Sequence, residues 1–230
     1  LLALAYLIFL FYPYSDVSGD IFYDSEEKLW AHRVLDVNQI EDLGNEFNGF
    51  EVDIFYNSNK NIFDVKHHGN KSNISLDEYF IACKDLSLKF WIDFKNLNEN
   101  NTDSSILLLN TLAKKHGLMS DIIIESKKIE LLSKFKDEGF YTSYWLPNYH
   151  LLNSFFNINE IKRNILDYKP HVISMPYSSV KFYSRKFPNY PIHCWTNGMI
   201  KENDKEKIKK LSEMNNVKII LTDFKNNFLK

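Results

Sequence analysis

The sequence predicts a single α/β domain of the TIM-type (β/α)8 barrel class. Eight short apolar segments of strand-like composition alternate with amphipathic helical patterns along the chain. The length of 230 residues falls in the range in which such a barrel forms one domain. No low-complexity linker divides the chain. This regular alternation favours a closed parallel barrel over an open doubly wound sheet.

The predicted strands are short and rich in apolar side chains, and in chain order they cover residues 28–32, 50–54, 89–93, 121–125, 141–145, 172–175, 191–195 and 218–222. Apolar residues at helical spacing predict helices between them, at 37–46, 75–84, 104–116, 127–136, 158–168 and 202–214. Ser75 stands three residues before Glu78, a capping-box spacing that marks a helix start. Gly117 and Gly139 are predicted to end helices.

The first residues form an uninterrupted apolar run, LLALAYLIFLFY, which carries no charge. We expect residues 1–14 to be the remnant of a signal anchor or of a signal peptide, followed by a linker at 15–26 and the barrel at 27–230. The alternative is a buried first strand. We therefore expect an extracytoplasmic or membrane-associated domain, tethered through this segment, and a cytoplasmic location stays open.

Charge and cysteine content exclude some function classes. The net charge of −2, with lysines and acids spread along the chain, provides no basic surface for nucleic acid. Cys83 and Cys194 lie far apart without the spacing of a metal site, so we predict two buried free thiols. A disulfide between them stays an alternative.

The segment 49–68 places carboxylates and an imidazole at the ends of two strand-like runs. Glu51 and Asp53 stand two positions apart on the first run, so their side chains point to the same face. A second run ending in His67 brings a general acid or base beside them. Hard carboxylate oxygens suit Mg²⁺ or Ca²⁺, and a metal next to an acid–base group suits phosphodiester cleavage.

Polar and aromatic side chains stand at the last positions of the predicted strands. In a β/α barrel these ends open into one mouth, so residues distant in sequence can converge there. The set comprises His32, Arg33, Glu51, Asp53, Asp93, Lys95, Glu125, Trp145, Ser174, Trp195, Thr196 and Asp223. This mixture of acids, bases and aromatics indicates a functional site. For Glu125, a metal ligand, a substrate contact and a salt bridge with a loop lysine are all open.

Five motifs, in this order, resemble those of the glycerophosphodiester phosphodiesterase and PI-specific phospholipase C-like superfamily. They are Trp30-Ala31-His32-Arg33, Phe50-Glu51-Val52-Asp53, Val65-Lys66-His67, Trp91-Ile92-Asp93-Phe94-Lys95 and His193-Cys194-Trp195-Thr196-Asn197. The resemblance covers most of the barrel. The first and fourth motifs look closest to a compact menorin-like branch, which lacks a large insertion after the second strand.

The resemblance implies a metal-dependent phosphoric diester hydrolase with two histidines as its acid–base pair. By this likeness His32 and His67 would exchange protons, and Glu51, Asp53 and Asp93 would bind a divalent cation, Mg²⁺ or Ca²⁺. The third acid is commonly Glu in the family. The implied substrate is a small phosphodiester, or the phosphate of a phospholipid or glycan, and hydrolysis and cyclisation both stay open.

The resemblance also implies three contacts to the substrate and brings three departures, the first being Asp93 where the family commonly has Glu. Arg33 would hold the phosphate, Lys95 would neutralise charge on the phosphoryl oxygens, and Trp195 would form the aromatic wall of the pocket. The family usually has Gly after His-Arg and Asp after the second His, where this chain has Val34 and His68. Of the adjacent histidines we choose His67, because it continues the alternation along the second run.

Two other functions remain in competition. One is a phosphate- or glycan-binding module that keeps the barrel and its mouth without catalysis, an alternative that Val34 and His68 leave open. The other is a metal-dependent sugar-phosphate isomerase on the same fold. The pair of histidines favours phosphoryl chemistry over isomerisation.

Overall fold

Eight parallel strands close into a barrel in the computed structural model, which describes residues 12–19, 27–69, 74–148, 151–196 and 202–223, without the side chains of 151–156 and 202–203. The strands are β1 (Leu29–Ala31), β2 (Gly49–Asn57), β3 (Ile62–Val65), β4 (Ile74–Ser75), β5 (Lys89–Phe94), β6 (Ile122–Ser126), β7 (Tyr141–Trp145), β8 (Val172–Pro176), β9 (Ile192–Trp195) and β10 (Val217–Thr222). The barrel closes because β1 pairs in parallel with both β2 and β10. The predicted TIM-type barrel is therefore confirmed, with each of its eight strands within a few residues of its predicted position.

Helices pack around the outside of this barrel. Within the described residues they are α1 (Ile40–Gly44, after a 3-10 turn at Val37–Gln39), α2 (Leu76–Ala82), α3 (Thr102–His116), α4 (Ile129–Asp137), α5 (Leu151–Tyr168), α6 (Tyr177–Lys186) and α7 (Glu202–Ser212). The predicted helices all form, and α5 begins seven residues earlier than predicted. Helix α6 was not predicted, because its sequence YSSVKFYSRK is rich in serine and aromatic residues of modest helix propensity.

Strands β3 and β4 lie outside the barrel and extend it at one edge. The long strand β2 turns back after Asn57, and β3 pairs with it antiparallel, with Ile54 opposite Val65. The predicted second run therefore exists but ends at Val65, two residues before His67. This hairpin carries the chain back toward the mouth of the barrel.

Two hydrophobic cores follow from the alternation of side chains along the strands. The residues that point inward form a small interior core of Trp30, Trp91, Ile123, Trp195, Ile219 and Leu221. Those that point outward join the apolar faces of the helices in a larger core. Gly49 opens β2 beside the interior core, where a Cβ would overlap the indole of Trp30. These apolar side chains and the buried imidazole of His193, which packs on Trp91, fill the interior, and the acidic side chains of the strands gather at the mouth.

Local predictions about caps and cysteines are also confirmed. Ser75 and Glu78 form a capping box at the start of α2. Gly117 ends α3 with a left-handed φ of +71°, and Gly139 has a φ of +92°. Cys83 and Cys194 are buried free thiols. Burial raises the pKa of each thiol to about 12, which disfavours the thiolate form.

Most of the predicted apolar leader and linker lies outside the described residues. Residues 1–11 and 20–26 are not described, so the expected boundaries at 14 and 26 stay predictions. Among the helices that the structure describes, none has the length and apolar character needed to cross a membrane.

Candidate active site

The C-terminal ends of the strands form one mouth, and predicted site residues from several strands meet there. A cavity of about 100 Å³ at this mouth is lined by His32, Arg33, Glu51, Asp53, Asp93, Lys95, Glu125, Trp145, Trp195 and Leu221. The remaining predicted site residue, His67, reaches the same cluster through a contact with Asp53. All eight predicted site residues therefore lie at one end of the barrel.

Three buried carboxylates form the centre of the site. Glu51, Asp53 and Asp93 each offer an oxygen within 4.8 Å of the other two. Alternation along β2 directs Glu51 and Asp53 inward, and Asp53 pairs in register with Asp93 of β5. Burial raises the pKa of Glu51 well above its ordinary value, and the charges of the two aspartates add to this rise. Burial also raises the pKa of Asp93 to about 6, although Lys95 opposes the rise.

Lys95 neutralises part of this negative charge. Its ammonium lies 2.7 Å from Asp53 Oδ1 and also pairs with Asp93 Oδ2. Burial lowers the pKa of Lys95, but the charges of Asp93 and Asp53 outweigh burial and raise the pKa above its ordinary value. One partly buried ammonium faces three carboxylates, so excess negative charge remains. A divalent cation bound by carboxylate oxygens fits this donor set and would compensate the excess.

The turn after β1 positions His32 and Arg33. His32 Nδ1 is 3.2 Å from Asp223 Oδ1, and its Nε2 is 3.9 Å from Glu51 Oε2. Arg33 adopts a left-handed φ of +53°, and its backbone N–H donates to Glu51 Oε2 at 2.8 Å. The turn therefore ties β1 to the first acid and directs the imidazole into the mouth.

The hairpin brings His67, rather than His68, against the acids. His67 Nδ1 lies 2.6 Å from Asp53 Oδ2, whereas the ring of His68 stacks on Phe55 with centroids 5.9 Å apart. Because Lys66 N–H donates to the Asp53 carbonyl oxygen at 3.1 Å, the chain stays next to β2 beyond the end of β3. Asp53 is thus held between Lys95 on one carboxylate oxygen and His67 on the other.

Of the three departures from the family pattern, Asp93 is itself one of the acids, whereas Val34 and His68 are not. Val34 is buried in the outer core, and its carbonyl oxygen accepts a hydrogen bond from Tyr79 Oη at 2.8 Å. His68 packs on Phe55, as described above. The valine and the second histidine therefore leave the arrangement of the carboxylates intact.

Glu125 is a fourth acid at the mouth. It is 2% exposed and pairs in register with Asp93 on one side and Ser143 on the other. Ser143 Oγ donates to Glu125 Oε2 at 3.4 Å. Burial raises the pKa of Glu125 well above its ordinary value, and the charge of Asp93 adds to this rise. Among the described residues, no lysine or arginine forms an ion pair with Glu125, so the structure offers no support there for the salt-bridge alternative.

An aromatic wall closes the side of the mouth formed by β7 and β9. The rings of Trp145 and Trp195 meet edge to face, with centroids 5.2 Å apart. Lys127 Nζ lies 4.0 Å from the centre of the Trp145 ring, and Lys95 Nζ lies 5.3 Å from the same point. The wall therefore combines apolar surface with two positive charges.

Three of these contacts were not assigned from sequence. Asp223 and Trp145 stand among the strand-end residues, so their position at the mouth was predictable, but no motif reveals their partners. Lys127 follows the last residue of β6 and was predicted to begin a helix. Its contact with Trp145 depends on the neighbouring strand β7, so the sequence around Lys127 contains no signal for it.

Solved structures of the same fold include phosphodiesterases. A glycerophosphodiester phosphodiesterase from Parabacteroides distasonis has a TM-score of 0.66 at 15% identity, covering 87% of this chain and 94% of that chain. A phosphodiesterase from Oleispira antarctica, in complex with the product sn-glycerol-3-phosphate, has a TM-score of 0.68 at 12% identity, covering 88% of this chain and 95% of that one. This chain has the fold of the glycerophosphodiester phosphodiesterases. No protein-family model and no curated protein matches the sequence.

The same barrel also occurs in an enzyme with different chemistry. N-(5'-phosphoribosyl)anthranilate isomerase from Pyrococcus furiosus has a TM-score of 0.54 at 12% identity, covering 84% of this chain and 86% of that chain. At such identities the likeness establishes the fold alone, so the reaction has to be argued from the side chains at the mouth. The menorin-like branch stays a prediction.

Proposed function

We propose that this protein is a divalent-cation-dependent phosphodiesterase that uses His32 and His67 as its acid–base pair. The observation that supports this most is that two imidazoles each lie within 3.9 Å of an acid of one cluster. His32 lies beside Glu51, and His67 bonds to Asp53. An isomerase needs one base near a carbonyl, whereas two proton-exchanging groups around a cation site match cleavage of a phosphodiester.

Each imidazole is held at Nδ1 by a carboxylate. Asp223 holds His32, and Asp53 holds His67. A carboxylate at Nδ1 favours the tautomer with the proton on that nitrogen, so Nε2 of each ring is the atom that exchanges protons. Each ring can thereby accept or donate a proton at Nε2 when a phosphate is bound at the mouth.

In hydrolysis the oxygen of a water molecule attacks phosphorus, and the Nε2 of one imidazole accepts the proton of that water. The bond between phosphorus and the leaving alcohol oxygen breaks, and the other imidazole, in its protonated form, donates its proton to that oxygen. In the cyclising variant a neighbouring hydroxyl of the substrate replaces the water. Arg33 and Lys95 balance the charge that grows on the phosphoryl oxygens.

Glu51, Asp53 and Asp93 are the residues that would hold the cation. Asp53 already bonds to Lys95 and His67, but each carboxylate oxygen has two lone pairs, which leaves capacity for a metal. When bound, Mg²⁺ or Ca²⁺ would supply Lewis-acid polarisation of a phosphoryl oxygen. The three acids also set its position relative to both histidines.

The substrate we propose is a small phosphodiester. The Oleispira antarctica phosphodiesterase was solved with sn-glycerol-3-phosphate as its product, which supports this class. A phospholipid or glycan phosphate would use the same phosphate chemistry.

Because the apolar run in residues 1–14 is the kind of segment that tethers a domain to a membrane, we also propose an extracytoplasmic or membrane-associated location. Fractionation of cells expressing the full chain would test this location.

Hydrolysis of bis(p-nitrophenyl) phosphate tests the proposal. We expect turnover with Mg²⁺ or Ca²⁺ and none in EDTA. His32→Ala and His67→Ala should each lower kcat at least about 100-fold, because each removes one proton transfer. His68→Ala is the matched control: it removes a neighbouring imidazole that faces Phe55, and its turnover should stay close to that of the parent protein.

Three results would overturn or redirect this assignment. Unchanged turnover in both histidine variants, with folds intact by circular dichroism, removes the mechanism. Tight cation binding without turnover of any phosphodiester favours the binding module, and conversion of aldose or ketose phosphates favours the isomerase. Phosphorus NMR of the products separates hydrolysis from cyclisation, because a cyclic phosphate has its own resonance.

A further inference from the structure

Lys127 occupies a defined place beside the mouth although its side chain is exposed. It follows the last residue of β6, where Ser126 Oγ accepts a hydrogen bond from the backbone N–H of Lys128 at 3.1 Å and fixes the turn. The ammonium of Lys127 lies 4.0 Å from the centre of the Trp145 ring, which lines the cavity. A cation–π contact of this kind holds the lysine over the wall of the site.

The two lysines at this wall differ in their partners. Lys95 is paired with both Asp53 and Asp93, so protein carboxylates already share its charge. For Lys127, no carboxylate in the described part of the chain lies within ion-pair distance. Its charge acts on the site from the rim, since it is one of the groups that lower the pKa of Asp93. Lys127 therefore offers a charge that a ligand can compensate.

The spacing of the strands separates Lys127 from the place of the scissile phosphate. Lys127 follows β6, which is next to β5 with Asp93 and two strands from β2 with Glu51. Neighbouring strands are about 5 Å apart, so a phosphate among the acids lies about 5–10 Å from the strand that carries Lys127. Both lysine ammonium groups lie within 5.3 Å of one indole centre. A ligand with two anionic groups can therefore contact both.

We propose that Lys127 and Trp145 form a subsite for a second anionic group, a carboxylate or a phosphate, on the substrate of the proposed phosphodiesterase. This inference rests on that function for the identity of the first group. The ammonium over the Trp145 ring also disfavours a cationic head group, because two positive charges would compete for one aromatic face. The preferred substrates are thus phosphodiesters with a further negative charge a few bonds from the phosphorus.

Calorimetric titration with two product-like monoesters tests the subsite without requiring turnover. The probes are sn-glycerol-3-phosphate and 3-phosphoglycerate, each titrated in the presence of Mg²⁺. The second compound has a carboxylate where the first has a hydroxymethyl group. We expect the parent protein to bind 3-phosphoglycerate about fivefold more tightly, the upper range for an exposed charge pair. Lys127→Ala should remove this preference and leave the affinity for sn-glycerol-3-phosphate within about twofold.

Lys128→Ala is the matched control, because it removes the same charge one residue further on and should keep the preference. The preference should also weaken as ionic strength rises. Equal affinity for the two probes in the parent protein, no binding of either, or an unchanged preference in Lys127→Ala would overturn the subsite. Failure of the subsite is separate from failure of the enzyme. A parent protein that hydrolyses bis(p-nitrophenyl) phosphate but binds the two probes equally well refutes the subsite alone.

Discussion

Asp53 links the proton-transfer groups to the cation site. Its two carboxylate oxygens bond to Lys95 and His67, and its own side chain is fully buried. One carboxylate thereby sets the orientation of an imidazole, pairs with an ammonium and contributes to the acidic cluster. The other imidazole, His32, has a separate carboxylate partner in Asp223. The two histidines therefore differ in how closely their orientation depends on the cation site.

Asp223 is a positioning residue for His32, and its removal should affect catalysis more than binding. We expect Asp223→Ala to lower kcat about tenfold or more with little change in KM, because the ring loses its orientation and favoured tautomer while the phosphate contacts remain. Steady-state kinetics with bis(p-nitrophenyl) phosphate measures both constants.

A conservative replacement separates positioning from folding. Asp223→Glu keeps the carboxylate and should recover part of the lost kcat, whereas Asp223→Asn should recover less because an amide does not favour the same tautomer. Equal kcat in all three variants and the parent protein would show that His32 does not depend on this contact.

The hairpin of β2 and β3 decides where His67 stands. Strand β2 continues past the barrel to Asn57, and β3 returns along it so that Val65 lies opposite Ile54. Had β2 ended at the rim like its neighbours, the segment after it would run to helix α2 without passing the acids. A catalytic position thus depends on an element that does not belong to the eight-stranded barrel.

The turn of this hairpin offers a test through backbone strain. Asn61 has a left-handed φ of +48°, which glycine tolerates and a β-branched residue resists at a cost of about 1–3 kcal/mol. We expect Asn61→Val to lower turnover by misplacing His67, while Asn61→Gly retains it. Both variants lose the hydrogen bond from Tyr56 Oη, so their difference isolates the backbone effect.

Circular dichroism should show an intact barrel in both variants, since the hairpin lies outside it. Indistinguishable turnover in Asn61→Val and Asn61→Gly would mean that the hairpin does not control the position of His67.

The barrel as a whole holds an acidic cluster that destabilises it in the absence of a cation. Four buried acids gather at the mouth, of which Glu51, Asp93 and Glu125 have raised pKa values because burial disfavours their charged forms. The apolar interior core and the larger outer core supply the folding energy that holds these groups together. Proteins commonly offset the unfavourable free energy of a functional site in this way, with stability supplied by the rest of the fold.

Stability against heat should therefore respond to the cation and to Glu51. We expect Mg²⁺ to raise the Tm of the parent protein, because a ligand that binds the folded state stabilises it. Glu51→Gln should raise stability in EDTA by about 1 kcal/mol, because a neutral amide relieves the repulsion, and it should lose most of the Mg²⁺ effect. Differential scanning calorimetry measures both shifts, with exposed Glu41→Gln as the control that changes neither.

The folding stability of the cation-free protein should fall as the pH rises, because of the Asp93 carboxyl. Burial raises the pKa of Asp93 from 3.8 to about 6 on folding, so the folded state holds a proton that the unfolded chain releases between these values. The stability from this group is present below a pH of about 4 and is lost as the pH rises through about 6. A Tm that does not change on addition of Mg²⁺ at any pH would contradict the cation site.

Local patterns predicted much of this molecule because they depend on short-range geometry. Strand 141–145 was predicted to the residue, since its boundaries follow from its own aromatic and β-branched side chains and from Gly139. The shared face of Glu51 and Asp53 needed only the alternation of a strand. Helix α6 escaped prediction because packing of Val180 and Tyr183 in the core, rather than intrinsic propensity, stabilises it.

The residue types, the order of the motifs and the run of strands and helices were sufficient to predict a barrel with acids, imidazoles and a lysine at one rim. They did not reveal that Asp223 meets His32, that Lys127 lies over Trp145, or that Glu125 forms no ion pair with a lysine in the described part of the chain. Those pairings join positions on different strands and depend on barrel closure and strand register. A periodic sequence pattern sets the direction of a side chain relative to its own strand, whereas its neighbour is set by where the other strands come to lie.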